Sequence, residues 1–431
     1  MTLGDTDALL EKVQRDSFHF FSAHVNPANG LVRDSSQEHI PCSIAAVGFA
    51  LTCYPIAVER AWMTRAEALA LTLAAVRFFA NAEQSDSKTS AGYKGFFYHF
   101  LDMHTGCRVW DSELSTIDTA LLMGGLLLAA RYFDGTHADE CEVRSKVGDI
   151  YARIDWRWAQ NDGAALSLGW TPEKGFISWR WIGYSEALLL YALALGSPTF
   201  PVGTDAYEQW LSGYRWNRIY GHELVYAGPL FIHQFSHVWI DFRNIQDAYM
   251  RHRGLDYFEN SHRATKIQRE YARRNPHHWD HYHDACWGMT ASNGPGPAQF
   301  TINGRQRKFY GYAARGAPYG PDDGTIAPWA VVASLPFAPE IVLPTIAYLA
   351  EEFYQEGIDL GFYSSFNPTW RGPDGQQGWS CPWHIGINQG PIVAMIENHR
   401  SGMVWSLMRE CEPIVRGLNR AGFGGGWLDL I

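Results

Sequence analysis

The sequence predicts an all-α protein: helical hairpins closed into an (α/α)6 barrel, or toroid, with long functional loops and small β-hairpins. Three observations predict it. Helical periodicity recurs in roughly a dozen segments from one end of the chain to the other. Inner helices of such a toroid are apolar nearly all round, and the stretches 120–130 and 184–195 read that way. Strand signals are short and confined to loops rich in Gly, Trp, Pro and Asp, with no alternating β pattern.

In order along the chain, residues 5–25 set Leu9, Leu10, Val13, Phe18, Phe20 and Phe21 at helical spacing. Further helices are expected over 43–61, 64–80, 115–133, 142–154, 184–195, 205–212, 232–251, 261–275, 327–334, 338–353, 389–398 and 402–416. The long loops are 91–111, 156–183 and 277–323, with short strands at 95–101 and 176–181. No Pro/Ser linker or composition break divides the chain, so residues 1–431 read as a single domain.

Composition narrows the partner. With 18 Trp, 21 Tyr and 23 Phe among 431 residues, and 46% apolar residues, the chain can bury a large core. A formal net charge of −10 argues against nucleic acid or an anionic membrane, both of which need a basic surface. A neutral ligand fits better. The apolar run 120–130 is too short to span a bilayer. Seven widely spaced cysteines without a C-x-x-C pair read as reduced core thiols. The acidic, polar N-terminal residues lack the features of a signal peptide, so a cytoplasmic location is expected of the sequence as it stands, a trimmed leader aside.

The strongest chemical signal is Glu186, in Gly183-Tyr184-Ser185-Glu186 at the start of an apolar helix, just after Trp179 and Trp181. Burial there would raise the carboxyl pKa, and indole planes could hold a sugar ring, as a general acid for glycosidic bonds requires. The competing expectation is a glutamate stabilised by the helix dipole, which would lower its pKa. Asp118 lies inside an apolar helix with Ser115 one turn earlier and Glu113 near the helix start. Such an aspartate is costly to bury unless it meets a ligand or a cation, an arginine for instance. His233, His237 and Asp241 fall along one helical stripe near Trp239, suited to sugar hydroxyls or, less well, to a metal. The His-rich stretch 277–284 reads as a polar wall rather than a zinc site. Asp322 and Asp323 compete for a base role with plain N-capping and turn chemistry. Trp170, Trp179, Trp181, Trp287, Trp379 and Trp383 lie in loops and could stack on pyranose rings.

The blocks 113–122, 183–198, 229–243, 256–265, 287–295, 322–328, 390–398 and 421–427 together resemble the glucoamylase-like (α/α)6 family that includes bacterial β-1,2-glucanases and the cyclisation domain of cyclic β-1,2-glucan synthases. The resemblance implies a glycoside hydrolase cleaving β-linked glucan, most of all β-1,2-glucan or its oligosaccharides, with Glu186 as general acid. Glu259 is implied as a candidate nucleophile, with Asp118 and Asp323 as rivals for nucleophile or base. Expected substrate contacts are Glu113, Trp181, Tyr184, His233, His237, Trp239, Asp241, Arg243, Asn260, Arg263, Trp287, Asn293, Asp322, Asn388, Gln389 and Glu397. An oligo- or polysaccharide is the expected partner. Neither metal nor organic cofactor is called for, because two carboxylates suffice. Two departures stand out: the family pattern favours aspartate where this chain has Asn293 and Asn388. An amide cannot serve as a general base. Transglycosylation on the same scaffold, or a catalytically silent glycan-binding protein, therefore remain as alternatives.

Overall fold

A computed structural model describes residues 3–354, 359–372 and 375–430, and most of its regular structure is helical. The helices are α1 (Leu3–Ala23), α2 (Ile44–Glu59), α3 (Arg65–Asn81), α4 (Thr116–Tyr132), α5 (Ala138–Ala152), α6 (Leu188–Gly196), α7 (Thr204–Leu211), α8 (Ala248–Arg253), α9 (Tyr257–Arg274), α10 (Pro328–Val332), α11 (Pro339–Phe353), α12 (Gly386–Arg400), α13 (Met403–Arg409) and α14 (Glu412–Arg420).

Two classes of helix follow from their sequences. In α2, α4, α6, α10 and α12 nearly every residue is buried, so they have no solvent face and pack among themselves. Helix α2 lies against α4 and α12, α4 against α6, and α12 against α10. By contrast α5, α9 and α11 bury one stripe and expose the rest. Small residues set the closest crossing. A Cβ on Gly125 of α4 would fall 1.9 Å from the Gly48 carbonyl oxygen of α2, so neither helix tolerates a side chain there.

The caps are written in the sequence. Ser43 accepts from the Ala46 N–H at the start of α2, and Ser115 from the Asp118 N–H at the start of α4. Thr64 and Glu67 form a reciprocal capping box on α3. Short strands lead into the same ends. Cys42–Ser43 pairs antiparallel with Phe100–Leu101. Leu114–Ser115 lies in a five-stranded antiparallel sheet, between Phe96–Tyr98 and Gly169–Thr171. These strands gather loops over the N-terminal ends of the all-buried helices, where the candidate site lies.

Three expectations are corrected. Residues 232–251 are not one helix: two 3-10 turns, Leu230–His233 and Phe235–Val238, precede an irregular stretch and then α8. Pro413 breaks the stretch 402–416 into α13 and α14, the proline taking the first turn of the second. Helix α6 starts at Leu188, so Glu186 sits in the turn before it rather than on its first turn. None of the seven cysteines is paired; Cys42, Cys53, Cys286, Cys381 and Cys411 are buried, whereas Cys141 is exposed. Among the described residues, no helix is long and apolar enough to cross a membrane.

Candidate functional site

A cleft of about 530 Å³ opens over the N-terminal ends of α2, α4, α10 and α12 and the turn before α6. Its lining includes Asp34, His99, Asp118, Glu186, Asn293, Tyr312, Trp329 and Asn388, with Phe100, Phe231 and Phe235 as apolar walls. It combines aromatic and aliphatic surface with a few convergent polar groups, the usual make-up of a small-molecule or sugar site.

Glu186 is held by its backbone. Ser236 Oγ donates to the Glu186 carbonyl at 2.8 Å and accepts from the Leu189 N–H at 3.0 Å, which locks the turn before α6. Burial pushes the Glu186 carboxyl up to about 7, against the pull of its own backbone N–H and with an added push from Asp118. Desolvation thus outweighs the backbone hydrogen bond, and a carboxyl poised near neutral pH can deliver a proton.

Asp118 reaches the cleft from the first turn of α4. Ser115 Oγ donates to Asp118 Oδ2 at 2.5 Å and accepts from its backbone N–H at 3.1 Å. His99 Nδ1 lies 2.9 Å from Glu113 Oε1 and 3.7 Å from Asp118 Oδ2. Burial alone would lower the His99 pKa, but Asp118, Glu113 and Asp34 push it up to about 9, so the imidazole is cationic at neutral pH. The cation that compensates Asp118 is therefore a histidine, not an arginine. His99 also lowers the Glu113 carboxyl, overcoming burial. Among the described residues, His99, Glu113 and Asp118 are the group whose ligand-type atoms lie within 4.8 Å of one another. Their own hydrogen-bonded cluster already uses His99 Nδ1 on Glu113.

Asp34, His99, Tyr312 and Trp329 carry no pattern that marks them in the sequence. Asp34 comes from the segment between α1 and α2, and burial lifts its carboxyl to about 6, opposed by His99 and reinforced by Asp118. His99 is delivered by strand pairing, its N–H bound to the Glu113 carbonyl at 2.9 Å, so the only available signal was the register of short strands. The Tyr312 side chain is 73% exposed, yet it lines the cleft, and its phenol feels Glu186, Asp118 and Asp34. Two buried polar atoms on lining residues, Ser35 Oγ and Trp329 Nε1, have no hydrogen-bond partner among the described residues.

The other expected residues lie elsewhere. Glu259, implied as a nucleophile, does not line this cleft. It sits on an open face beside Arg218, His222 and Lys266, its side chain 43% exposed and paired with Arg263 Nε at 2.7 Å. Arg263 also donates to the Glu223 carbonyl. Asp323 is fully buried in an ion pair with Arg315, and Asp322 accepts from the Tyr271 and Tyr282 hydroxyls. His233 and His237 are 1% exposed; burial drives them down to about 4 and about 3, which makes them neutral packing groups. Asp241 is clamped by Arg243 and Arg409, and Arg243 stacks 4.4 Å above Trp405. Asn260 bridges both backbone groups of Val225. Trp239 and Trp287 donate to Thr52 and Thr345 inside the core, and Trp181 donates to Thr116 Oγ1. Tyr184 is buried near Tyr214, His233 and Tyr257. Gln389 is fully buried and donates to the Phe362 carbonyl. Glu397, toward the far end of α12, pairs with Arg60 through both carboxylate oxygens. Arg307 holds the carbonyls of His277 and His278, outside the cleft.

Comparison with known proteins places this architecture. The chain is 27% identical to the exo β-1,2-glucooligosaccharide sophorohydrolase (non-reducing end) of Parabacteroides distasonis, over 96% of its own length, but it spans only 58% of that relative. The structure of an endo-β-1,2-glucanase from Chitinophaga pinensis superposes with a TM-score of 0.83 at 25% identity, covering 98% of this chain and 99% of the other. A β-1,2-glucanase from Parabacteroides distasonis gives a TM-score of 0.84 at 25% identity, covering 98% of this chain and 60% of the other. The family model "Glycoamylase", described as "Putative glucoamylase", matches residues 178–412, a span that includes Glu186. That match takes in more than half of the chain, which therefore belongs to the glycoamylase family of glucoamylase-like proteins.

Proposed function

We propose that this chain is a glycoside hydrolase acting on β-1,2-linked glucan or its oligosaccharides, with Glu186 as the general acid and a second carboxylate of the same cleft completing the chemistry. The observation that carries the proposal is Glu186 itself: a carboxyl lifted by burial to about 7, fixed by Ser236, in a cleft shared with Asp118 and Asp34. Protonation of a glycosidic oxygen needs such a group, and oxocarbenium character at the sugar needs a negative neighbour. The β-1,2 linkage is supported by the relatives, whose activities are named for β-1,2-glucans.

Of the residues implied as partners of Glu186, Asp118 is the one that shares its cleft. Its hydrogen bond from Ser115 and its nearness to His99 suit it to hold a sugar hydroxyl beside the reacting centre. Asn293 and Asn388, also in the lining, supply amide donors and acceptors to ring hydroxyls. The scaffold of this proposal is one domain folded as an (α/α)6 toroid. Supporting that reading, α2, α4, α6, α10 and α12 neighbour one another in chain order, and the 3-10 turns 230–238 bridge α6 to α10 through Ser236 and Gln234.

The test is incubation of the wild type and Glu186→Gln with linear β-1,2-, β-1,3- and β-1,4-gluco-oligosaccharides, following products by NMR. The expected result is cleavage of the β-1,2 series alone and a loss of about 10³-fold in rate in the variant. Longer products instead of shorter ones would make the protein a transglycosylase. Binding without turnover of any of the three series would make it a glycan receptor and end the enzymatic reading.

A further inference from the structure

We infer that Asp34 is the general base of this reaction, the group that takes a proton from the attacking water while Glu186 protonates the leaving oxygen. The inference rests on the hydrolytic reading above and assigns a residue that the sequence pattern leaves unmarked.

The fold brings Asp34 to the cleft wall and fixes it there. Its N–H donates to the Pro41 carbonyl at 2.9 Å, and its carbonyl accepts from the Gly386 N–H at 2.8 Å. Ser35 pairs with Ile385 in a β-bridge. Asp34 is thus stitched to the start of α12, two residues from Asn388, and lines the cleft together with Glu186 and Asp118. Ser35, next in the chain, lines the same cleft and carries a buried hydroxyl without a partner among the described residues.

Three carboxyl groups share the cleft, and what surrounds each one separates their tasks. Glu186 is the acid, its carboxyl lifted by desolvation. Asp118 already accepts from Ser115 and lies beside cationic His99, so one of its oxygens is committed. No protein group donates a hydrogen bond to the Asp34 carboxylate among the described residues; what faces it is charge, the His99 imidazolium and the Asp118 carboxylate, with the Tyr312 phenol near enough to feel it. An anchored carboxylate with free lone pairs in a ligand cleft is placed to bind and deprotonate water. Its elevated pKa, about 6, leaves it ionised at neutral pH and a better base than an ordinary aspartate.

The step balances with water alone. The water oxygen bonds to the anomeric carbon as the bond from that carbon to the glycosidic oxygen breaks. Asp34 receives the water proton, Glu186 gives its proton to the departing oxygen, and solvent restores both. Attack on the face opposite the leaving group inverts configuration, so a β-linkage yields the α-anomer.

The test compares wild type, Asp34→Asn, Asp34→Glu and Asp118→Asn on a linear β-1,2-gluco-oligosaccharide. It reads kcat and KM against pH, and the anomer of the first product by NMR. The α-anomer should appear first. Asp34→Asn should lose about 10³-fold in kcat at little cost in KM, and should lose the acid limb near pH 6. Asp34→Glu should recover part of the rate with a displaced limb, and Asp118→Asn should retain an acid limb, moved to lower pH because the Asp118 charge helps to raise the Asp34 carboxyl. A β-anomer as first product overturns the assignment. So does an Asp34→Asn enzyme that keeps the wild-type acid limb, or an Asp34→Glu enzyme as impaired as Asp34→Asn with the limb unmoved. In those cases an inactive Glu186→Gln leaves the hydrolase reading standing, whereas a wild type without turnover takes both down.

Discussion

Arg315 and Asp323 form a two-pronged ion pair, Nε to Oδ1 and Nη2 to Oδ2 both at 2.7 Å, with both side chains fully buried. Arg315 also donates to the carbonyls of Ser292, Tyr310 and Gly311, and Asp323 accepts the Tyr310 N–H at 2.8 Å. The pair is thus the internal frame of the loop that carries Tyr312 over the cleft. Asp323→Asn would leave a buried guanidinium without its counter-charge, at a cost of about 3–5 kcal/mol. Denaturant unfolding should register that loss. An apolar double replacement of Arg315 and Asp323 should be milder than either single change, because no charge is left stranded. A stable Asp323→Asn protein with selectively abolished turnover would instead give Asp323 a catalytic task.

In the proposed mechanism Glu186 sets the alkaline side of the pH profile. A general acid acts only in its protonated form, so the Glu186 contribution should be complete below its pKa and lost as pH rises through about 7, leaving the acid side of the profile to the base. Because Asp118 contributes to the upward shift, Asp118→Asn should move this limb to lower pH, toward the ordinary glutamate value. Rates of β-1,2-gluco-oligosaccharide cleavage between pH 4 and 9 would check both statements. An alkaline limb that ignores the Asp118 change would show that another group carries it.

The elements with strong local patterns were legible in the sequence, and those made by tertiary context were not. The apolar runs of α2, α4 and α12 announce buried helices, and Ser43, Thr64 and Ser115 announce their starts. Glu186 and Asp118 stood out because a carboxylate is conspicuous in an apolar neighbourhood, and both line the cleft. Residues 232–251 misled because helix-like spacing of His233, His237 and Asp241 arises there from two 3-10 turns and a clamp of arginines. Asp34 and His99 could not be seen, since each reaches the cleft through a bridge or strand register between distant segments. Glu259 shows the opposite case. A matching motif marked it, while only the fold reveals its exposed pairing with Arg263.

That location makes Glu259 a discriminating control. Its partner Arg263 is one helical turn away, and a surface pair of this kind contributes only about 0.3–0.5 kcal/mol. Glu259→Gln should therefore leave both the melting temperature and the rate of glucan cleavage close to wild type. A loss comparable to that of Glu186→Gln would show that this open face joins the reaction, and would restore Glu259 as the nucleophile.

His99 couples the cleft to stability. Its folded-state pKa, about 9, lies above the ordinary value of 6.5, because Asp118, Glu113 and Asp34 outweigh burial. The stabilisation from its charge is then complete below pH 6.5 and fades as pH rises through about 9. The shift corresponds to a gain on the order of 3 kcal/mol for this mostly buried ring. His99→Gln removes the cation but keeps a hydrogen-bond donor, leaving three carboxyl groups to repel one another. Its melting temperature should fall furthest behind wild type near pH 6 and converge with it toward pH 10. In the same variant, Asp34 loses the charge that holds its pKa down, so the acid limb of catalysis should move upward. A melting difference that stays constant across this range would mean that His99 contributes packing alone, with the charge cluster of the cleft contributing nothing to the fold.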